Sequence, residues 1–124
     1  MENFEFRDQL KNRTKNLALR IIRLYQALPK NTESQVIGKQ LLRSGTSIAA
    51  NYRAAWRGRS NAEFHSKLSI IVKETDESLF WMELFQEANM IKPELLKDLY
   101  QETEDILKII VTARKNSKKY ANQQ

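Results

Sequence analysis

Cysteine is absent from this chain of 124 residues, and glycine and proline are rare, with three and two copies. Without cysteine, neither disulfides nor the common cysteine-ligated zinc sites can stabilise the fold, so it must rest on a packed core. No stretch approaches the ~20 apolar residues of a membrane span, and residues 1–8 lack the apolar run of a secretory signal. We therefore expect a soluble, cytoplasmic protein without a membrane segment.

The rare turn-forming residues divide the chain into four segments, with breaks near Pro29, Gly58 and Pro93. In these segments apolar residues recur every three or four positions, which is typical of amphipathic helices, and strand alternation is absent. Short loops favour antiparallel neighbours, so we expect one all-α domain, 1–124, folded as an up-down-up-down four-helix bundle. The predicted helices span about 6–28, 32–57, 60–90 and 93–116, followed by a frayed tail at 117–124.

Capping residues mark two of the helix starts. Thr32 or Ser34 is the expected cap of the second helix, since both side chains accept backbone hydrogen bonds. Ser60 or Asn61 is the expected cap of the third helix, where Glu63 completes a capping-box pattern. The fourth helix is expected to bury Leu95, Leu99, Ile106, Ile110 and Ala113.

Carboxylates are missing from residues 34–62, a run of 29 residues that carries five of the formal net charges of +6. On a helix, four of its cations share one stripe. Such a stripe can be a solvated or salt-bridged face, a phosphate-binding surface or a subunit contact. Arginine outnumbers lysine, which favours fixed pairing with phosphate or carboxylate. The stripe consists of Lys39, Arg43, Arg53 and Arg57, and Arg59 follows it.

Charge of the opposite sign dominates residues 74–105, which contain ten carboxylates and two lysines. A molecule with a basic side and an acidic side can join its copies head to tail, and repeated rotation then closes a ring. The chain becomes basic again near its end, and these cations are further candidates for nucleic-acid binding: Arg114, Lys115, Lys118 and Lys119.

Small polar residues lie beside the apolar arc of the second helix, at Ser44, Ser47 and Asn51. Their helix propensity is mediocre, so packing or hydrogen bonding must account for them. One interpretation is that they allow close helix approach and satisfy one another. The other is that Asn51 fixes the register of a helix crossing, as a buried asparagine does in coiled coils.

Glu77 shares a stripe of the third helix with apolar residues, where a charge is unusual. It is either exposed or paired with an arginine from the second helix or from a neighbouring subunit, because Lys73 alone would contribute only about 0.3 kcal/mol. The two tryptophans, Trp56 and Trp81, are either core residues or anchors of a subunit interface.

Enzymatic patterns are missing. The single histidine, His65, lacks the Glu-x-x-His spacing of bundle di-metal centres, and we expect it at the surface or flanking the core. Gly38-Lys39 lies inside a helix without the preceding glycine of a phosphate-binding loop. We therefore expect a protein that is not an enzyme and that uses no metal or cofactor.

Several segments of the second and third helices form a recognisable pattern. They are residues 43–53 (RSGTSIAANYR), Arg59-Ser60 with Glu63-Phe64, Lys67-Leu68-Ser69-Ile70, Lys73-Glu74, Glu77 and Trp81-Met82-Glu83-Leu84. Together they resemble a family of small four-helix-bundle proteins, first noticed in intervening sequences of large-subunit ribosomal RNA genes.

The resemblance implies a four-helix bundle that assembles as a homopentamer and has no established enzymatic activity. Related accessory proteins of diversity-generating retroelements form such a ring and use a basic surface to engage nucleic acid and a reverse transcriptase. One position departs from the family, because relatives often carry glutamate where this chain has Ala54.

Two functions follow as alternatives. The first is an accessory ring that binds RNA or DNA with little sequence specificity, which agrees with the basic composition and pI of about 9.7. The second is a structural or protein-interaction scaffold whose charged faces serve only self-assembly.

Overall fold

The computed structural model consists of α1 (Glu2–Ala27), α2 (Thr32–Trp56), α3 (Asn61–Glu87) and α4 (Pro93–Asn122). It describes the backbone of residues 2–122 and the side chains of residues 5–117. Helices that follow one another in the chain pack together, whereas α1 and α4 touch least. The predicted all-α, up-down-up-down bundle is confirmed, and no strand occurs in the part of the chain that the structure describes.

The second helix begins at a cap that we did not expect. Asn31 has extended backbone geometry, and its side-chain oxygen accepts a hydrogen bond from the backbone N–H of Ser34 at 2.8 Å. The expectation of Thr32 or Ser34 as the cap was therefore wrong. Asn31 immediately precedes the helix and its short side chain reaches the third residue after it.

Ser60 caps the start of the third helix, which was one of the two expected alternatives. The Ser60 hydroxyl accepts from the backbone N–H of Glu63 at 3.1 Å. The Glu63 carboxylate accepts from the backbone N–H of Arg59 at 2.7 Å, one residue before the capping-box position. These bonds define the turn between α2 and α3.

The third helix ends at Glu87, earlier than the expected 90. Asn89 adopts the left-handed conformation, with φ of 56°, and the Met90 N–H donates to the carbonyl of Phe85 at 2.9 Å. This is the Schellman closure, in which a left-handed residue ends the helix and satisfies its last carbonyls.

The fourth helix continues to Asn122, past the expected end at 116. Ser117 is buried, and its hydroxyl lies 2.6 Å from the Arg114 carbonyl and 2.6 Å from His65 Nδ1 of α3. This attachment to α3 explains why the helix persists into the segment expected to fray.

Apolar residues from all four helices form one continuous core. The face of α4 is rotated from the expected one at its start, because Leu95 is 71% exposed while Leu96 is fully buried. Buried hydroxyls such as Thr75 and Thr103 bond to carbonyls one turn earlier in their own helices, which satisfies them inside the core. Among the described residues, no helix combines the length and the apolar character needed to cross a membrane.

Two glycines allow α1 to lie close against α2. A Cβ atom on Gly38 would approach Leu28 Cδ1 to 2.5 Å, and one on Gly45 would collide with Ile21. The close approach brings the first turns of α1 against the last turns of α2.

Candidate functional site

The basic stripe of α2 divides into two parts that meet different surroundings. Arg43 turns toward α3, where its Nη2 donates to Glu77 at 2.7 Å and its Nη1 donates to Glu74 at 3.2 Å. We call Arg43, Glu74 and Glu77 the Arg43 cluster. The partner of Glu77 is thus an arginine of the second helix in the same chain, which was one of the alternatives.

Glu74 is the residue of this cluster that sequence reasoning missed. It is only 7% exposed, whereas half of the Arg43 side chain remains accessible. The hydrogen bond to Glu77 is the main reason that the pKa of Arg43 is raised, while desolvation opposes the rise. The cluster joins α2 to α3, because Arg43 supplies the positive charge that compensates the buried carboxylate of Glu74.

Of the small polar residues of α2, Ser44 lies next to this cluster and contacts α3. The Ser44 hydroxyl lies 2.7 Å from the hydroxyl of Ser78 in α3, and both are fully buried. Asn51 instead bonds within its own helix, where its amide donates to the carbonyl and the hydroxyl of Ser47 at 2.9 and 2.8 Å. Ser44 therefore marks the close contact between α2 and α3, and Asn51 and Ser47 satisfy each other.

Arg53 and Arg57 line a cavity of about 250 Å³ between the start of α1 and the end of α2. We call this cavity the basic pocket. Among residues 5–117, its lining contains four cations and one carboxylate, which gives these residues a formal charge of +3. The lining residues are Arg7, Asp8 and Lys11 from α1, Tyr52, Arg53 and Trp56 from α2, and Arg57, which caps the end of α2.

Aromatic side chains hold the wall of the basic pocket. Trp56 packs against Phe64 of α3, with ring centroids 4.8 Å apart, and meets Tyr52 edge-on at 6.2 Å. The guanidinium of Arg7 lies 5.1 Å from the centre of a Trp56 ring, at the distance of a cation–π contact. Trp56 thus joins three helices beside the cavity and is half-buried.

Tyr52 fixes the first turns of α1. Its hydroxyl donates to the backbone carbonyl of Arg7 at 3.0 Å, and its ring is buried. Burial raises the pKa of Tyr52 to about 12, since the interior disfavours the phenolate. The hydroxyl therefore remains a neutral donor at physiological pH.

The cations of the basic pocket have no carboxylate partner among residues 5–117, and this distinguishes them from two other arginines. Arg13 donates to Glu102 of α4 through two nitrogens, at 3.0 and 2.7 Å, and Arg43 is held in its cluster. The hydrogen bond to Glu102 is the first cause of a raised pKa at Arg13. In contrast, no ion pair forms at Arg7, Lys11, Arg53 or Arg57 in the described part of the chain.

Three other cations that were predicted to bind nucleic acid lie at the same end of the bundle as the basic pocket. The contacts of Tyr52 with Arg7 and of His65 with Ser117 place the starts of α1 and α3 beside the ends of α2 and α4. Arg59 in the α2–α3 connection and Arg114 and Lys115 of α4 therefore share this end, whereas Lys39 lies toward the opposite one. The side chains of Lys118 and Lys119 lie outside the described residues.

Trp81 lies away from the basic pocket, on α3. It is half-buried and contacts Phe80, which is 50% exposed, with ring centroids 5.0 Å apart. Its indole N–H is buried without an acceptor among the described residues. Trp81 is therefore a core-edge residue next to an exposed aromatic ring.

His65 is half-buried and bonded to Ser117, so it flanks the core as expected. Within residues 5–117, no three histidine or acidic side chains group as a metal site requires. What sequence reasoning missed at the basic pocket is the contribution of α1, since Arg7 and Lys11 are distant in sequence from the acid-free segment. The only sequence signal was their spacing of four on one helix face.

The sequence matches the family model described as 23S rRNA-intervening sequence protein over residues 4–112. The chain belongs to this family. A protein of known structure is similar to this chain: a crystal structure at 1.70 Å resolution of a protein with unknown function from the S23 ribosomal protein family, from Bacteroides thetaiotaomicron. That protein is 35% identical, with a TM-score of 0.82, and the alignment covers 88% of this chain and 97% of the other. No curated protein matches the sequence.

Membership of the 23S rRNA-intervening sequence protein family confirms the resemblance noted in residues 43–84. It also agrees with the four-helix architecture, since the family match spans all four helices. The similar Bacteroides protein is itself described as having unknown function.

Proposed function

We propose that this protein is a non-catalytic accessory factor that assembles into a homo-oligomer, a pentamer, and binds RNA or DNA through backbone phosphates. One observation carries the proposal: the cations of the basic pocket have no carboxylate partner among the described residues, although carboxylates are abundant elsewhere in the chain. Arginine and lysine side chains that face solvent in a group are what a phosphate backbone requires.

The specificity of this binding follows from the shape of the basic end. It combines helix termini and the connection between α2 and α3, and the sequence carries no sequence-reading DNA-binding motif. Binding is therefore dominated by phosphates, which confer affinity and orientation but little sequence preference. A natural partner is then a reverse transcriptase or another enzyme that acts on nucleic acid, to which the ring would present its bound strand.

Assembly is supported by a different surface. Phe80 is a half-exposed aromatic residue beside Trp81 on α3, away from the basic pocket. Aromatic residues in such positions are typical anchors of protein interfaces. Oligomerisation through α3 would leave the basic end of each subunit free, and repeated copies would multiply its weak affinity for phosphate.

The test is a gel-retardation assay with single-stranded RNA and DNA at low and at physiological salt, together with the oligomer mass. We expect retardation that weakens strongly with salt, and we expect an Arg53→Glu, Arg57→Glu variant to lose it while retaining the oligomer mass. Both side chains are exposed, so the variant should fold. If neither nucleic acid binds at low salt, the proposal fails.

The second candidate, a scaffold whose charges serve only assembly, is favoured by the Arg43 cluster. There a cation of the stripe is already used by carboxylates within the fold. On this alternative, the Arg53→Glu, Arg57→Glu variant would change the oligomer mass, and no nucleic acid would bind to the unmodified protein.

A further inference from the structure

We propose that the basic pocket is a binding site for a terminal phosphate monoester, the group at the phosphorylated end of a nucleic-acid strand. For its macromolecular ligand this inference rests on the proposed function above. It goes further because it assigns a discrete site, and it predicts that the protein distinguishes strand ends from strand interiors.

The size of the cavity favours a small terminal group. At about 250 Å³ it lies below the ~300–1,000 Å³ of ordinary small-molecule sites. The start of α1 and the end of α2 form its walls, with Trp56 on one side. An internal phosphate has a chain that must leave in two directions, whereas a terminal phosphate can enter a cavity from one direction.

The charge of the lining favours a dianion. A phosphate monoester carries about −1.5 to −2 near neutral pH, while an internal diester carries a single charge. The described lining residues include four cations and one carboxylate, for a formal +3. The charge of the lining therefore matches the monoester better than the diester. Asp8 lowers the positive charge that the four cations would give the lining on their own.

The donors are of the type that suits phosphate, and one of them is held in place. Three of the four cations are arginines, whose planar guanidinium forms paired hydrogen bonds with phosphate oxygens. Arg7 packs on Trp56, and its backbone is fixed by the Tyr52 hydroxyl at 3.0 Å. A donor that is ordered before binding loses less entropy when the ligand arrives.

The decisive experiment compares the binding of labelled single strands that carry a 5′-phosphate, a 3′-phosphate or hydroxyls at both ends. The charge control is a hydroxyl-ended strand that is about two nucleotides longer, because it carries the formal charge of the phosphorylated strand. We expect a phosphorylated end to bind about tenfold tighter than this control. Equal binding of the phosphorylated and longer strands would overturn the pocket assignment and leave the proposed function standing.

A pair of variants separates the pocket from general charge. Lys11→Gln with Arg57→Gln removes one exposed pocket cation from α1 and one from α2, and should abolish the preference for phosphorylated ends. The control variant, Lys15→Gln with Lys39→Gln, removes one exposed cation from α1 and one from α2 that do not line the pocket. It should retain the preference for phosphorylated ends. Loss of the preference in both variants would contradict the assignment. Asp8→Asn removes the one carboxylate and should strengthen the preference.

A small probe tests the pocket without any strand. In a Trp81→Phe background, Trp56 is the only tryptophan, and it lines the cavity. A nucleoside monophosphate should change its fluorescence saturably, and the unphosphorylated nucleoside should not. If no strand binds, the proposed function fails, yet this response would still support a site for free phosphate monoesters. Absence of the response together with equal binding of all strands would overturn the pocket.

Discussion

Arg43 and Arg53 lie on one face of α2, and both are exposed, but their surroundings differ. Arg43 meets two carboxylates of α3, one of them 7% exposed, and its charge is used inside the fold. Arg53 meets Arg57 and two cations of α1 around the basic pocket. A shared helix face therefore does not imply a shared role, since the neighbouring helix decides what each arginine can bind.

The largest expected effect on stability comes from removing the charge of Arg43. Arg43→Gln leaves the buried Glu74 carboxylate without its cation, and we expect a loss of about 1 to 2 kcal/mol in the free energy of unfolding, moderated by the exposure of the arginine. Arg53→Gln is the matched control, and its effect should stay within about 0.5 kcal/mol. Chemical denaturation measures both.

Glu74→Gln in the Arg43→Gln background sharpens this comparison. Because the carboxylate that lost its partner is then neutral, part of the lost stability should return. Equal destabilisation by Arg43→Gln and Arg53→Gln, or no recovery in the double variant, would show that the Arg43 cluster does not stabilise the contact between α2 and α3.

A smaller effect is expected at Tyr52, which supports the other arginine environment. Tyr52→Phe removes the hydrogen bond to the Arg7 carbonyl, and should cost about 1 kcal/mol near pH 7. The folded pKa of about 12 lies above the ordinary value of about 10, so the stability linked to the neutral hydroxyl is present below pH 10 and is lost toward pH 12.

The pH dependence isolates this contribution. Other groups titrate equally in both proteins, so the stability of the unmodified protein relative to Tyr52→Phe should fall steadily as the pH rises from about 10 to about 12. Parallel curves across this range would contradict a buried, neutral Tyr52 in the folded state.

The smallest effect is expected at Asn51. Its side chain bonds to Ser47 of its own helix, and alanine is the better helix former, so these terms nearly cancel in Asn51→Ala. We expect a change in unfolding free energy of about 0.5 kcal/mol or less, with the oligomer mass unaltered. A marked fall in melting temperature or a changed mass would instead support the idea that Asn51 fixes the register of a helix crossing.

The fold could be predicted because the apolar spacing and the rare breaks describe each helix by itself. Errors arose where a local geometry or a tertiary contact decided the outcome. Asn89 ends α3 because it adopts the left-handed conformation, and Ser117 extends α4 through its hydrogen bond to His65. Neither effect is visible in hydrophobic periodicity.

The candidate site could be predicted only in part, for a related reason. The stripe of α2 was visible because its members are close in sequence. Arg7 and Lys11 join Arg53 and Arg57 only after α1 has packed against α2, and Arg43 leaves them only because Glu74 lies within its reach. Pairings between helices depend on rotation and register, which sequence patterns on single helices do not determine.

The most direct test of the account is the salt dependence of single-strand binding, measured for Arg53→Gln with Arg57→Gln and separately for Arg43→Gln. Each phosphate contact contributes about 0.7 to the slope of log affinity against log salt concentration for a single strand. We expect the pocket variant to lower the slope by about 1.4, and Arg43→Gln to leave it unchanged. An equal reduction by both variants, or none by the pocket variant, would contradict the claim that the cations of the basic pocket, and not Arg43, bind phosphate.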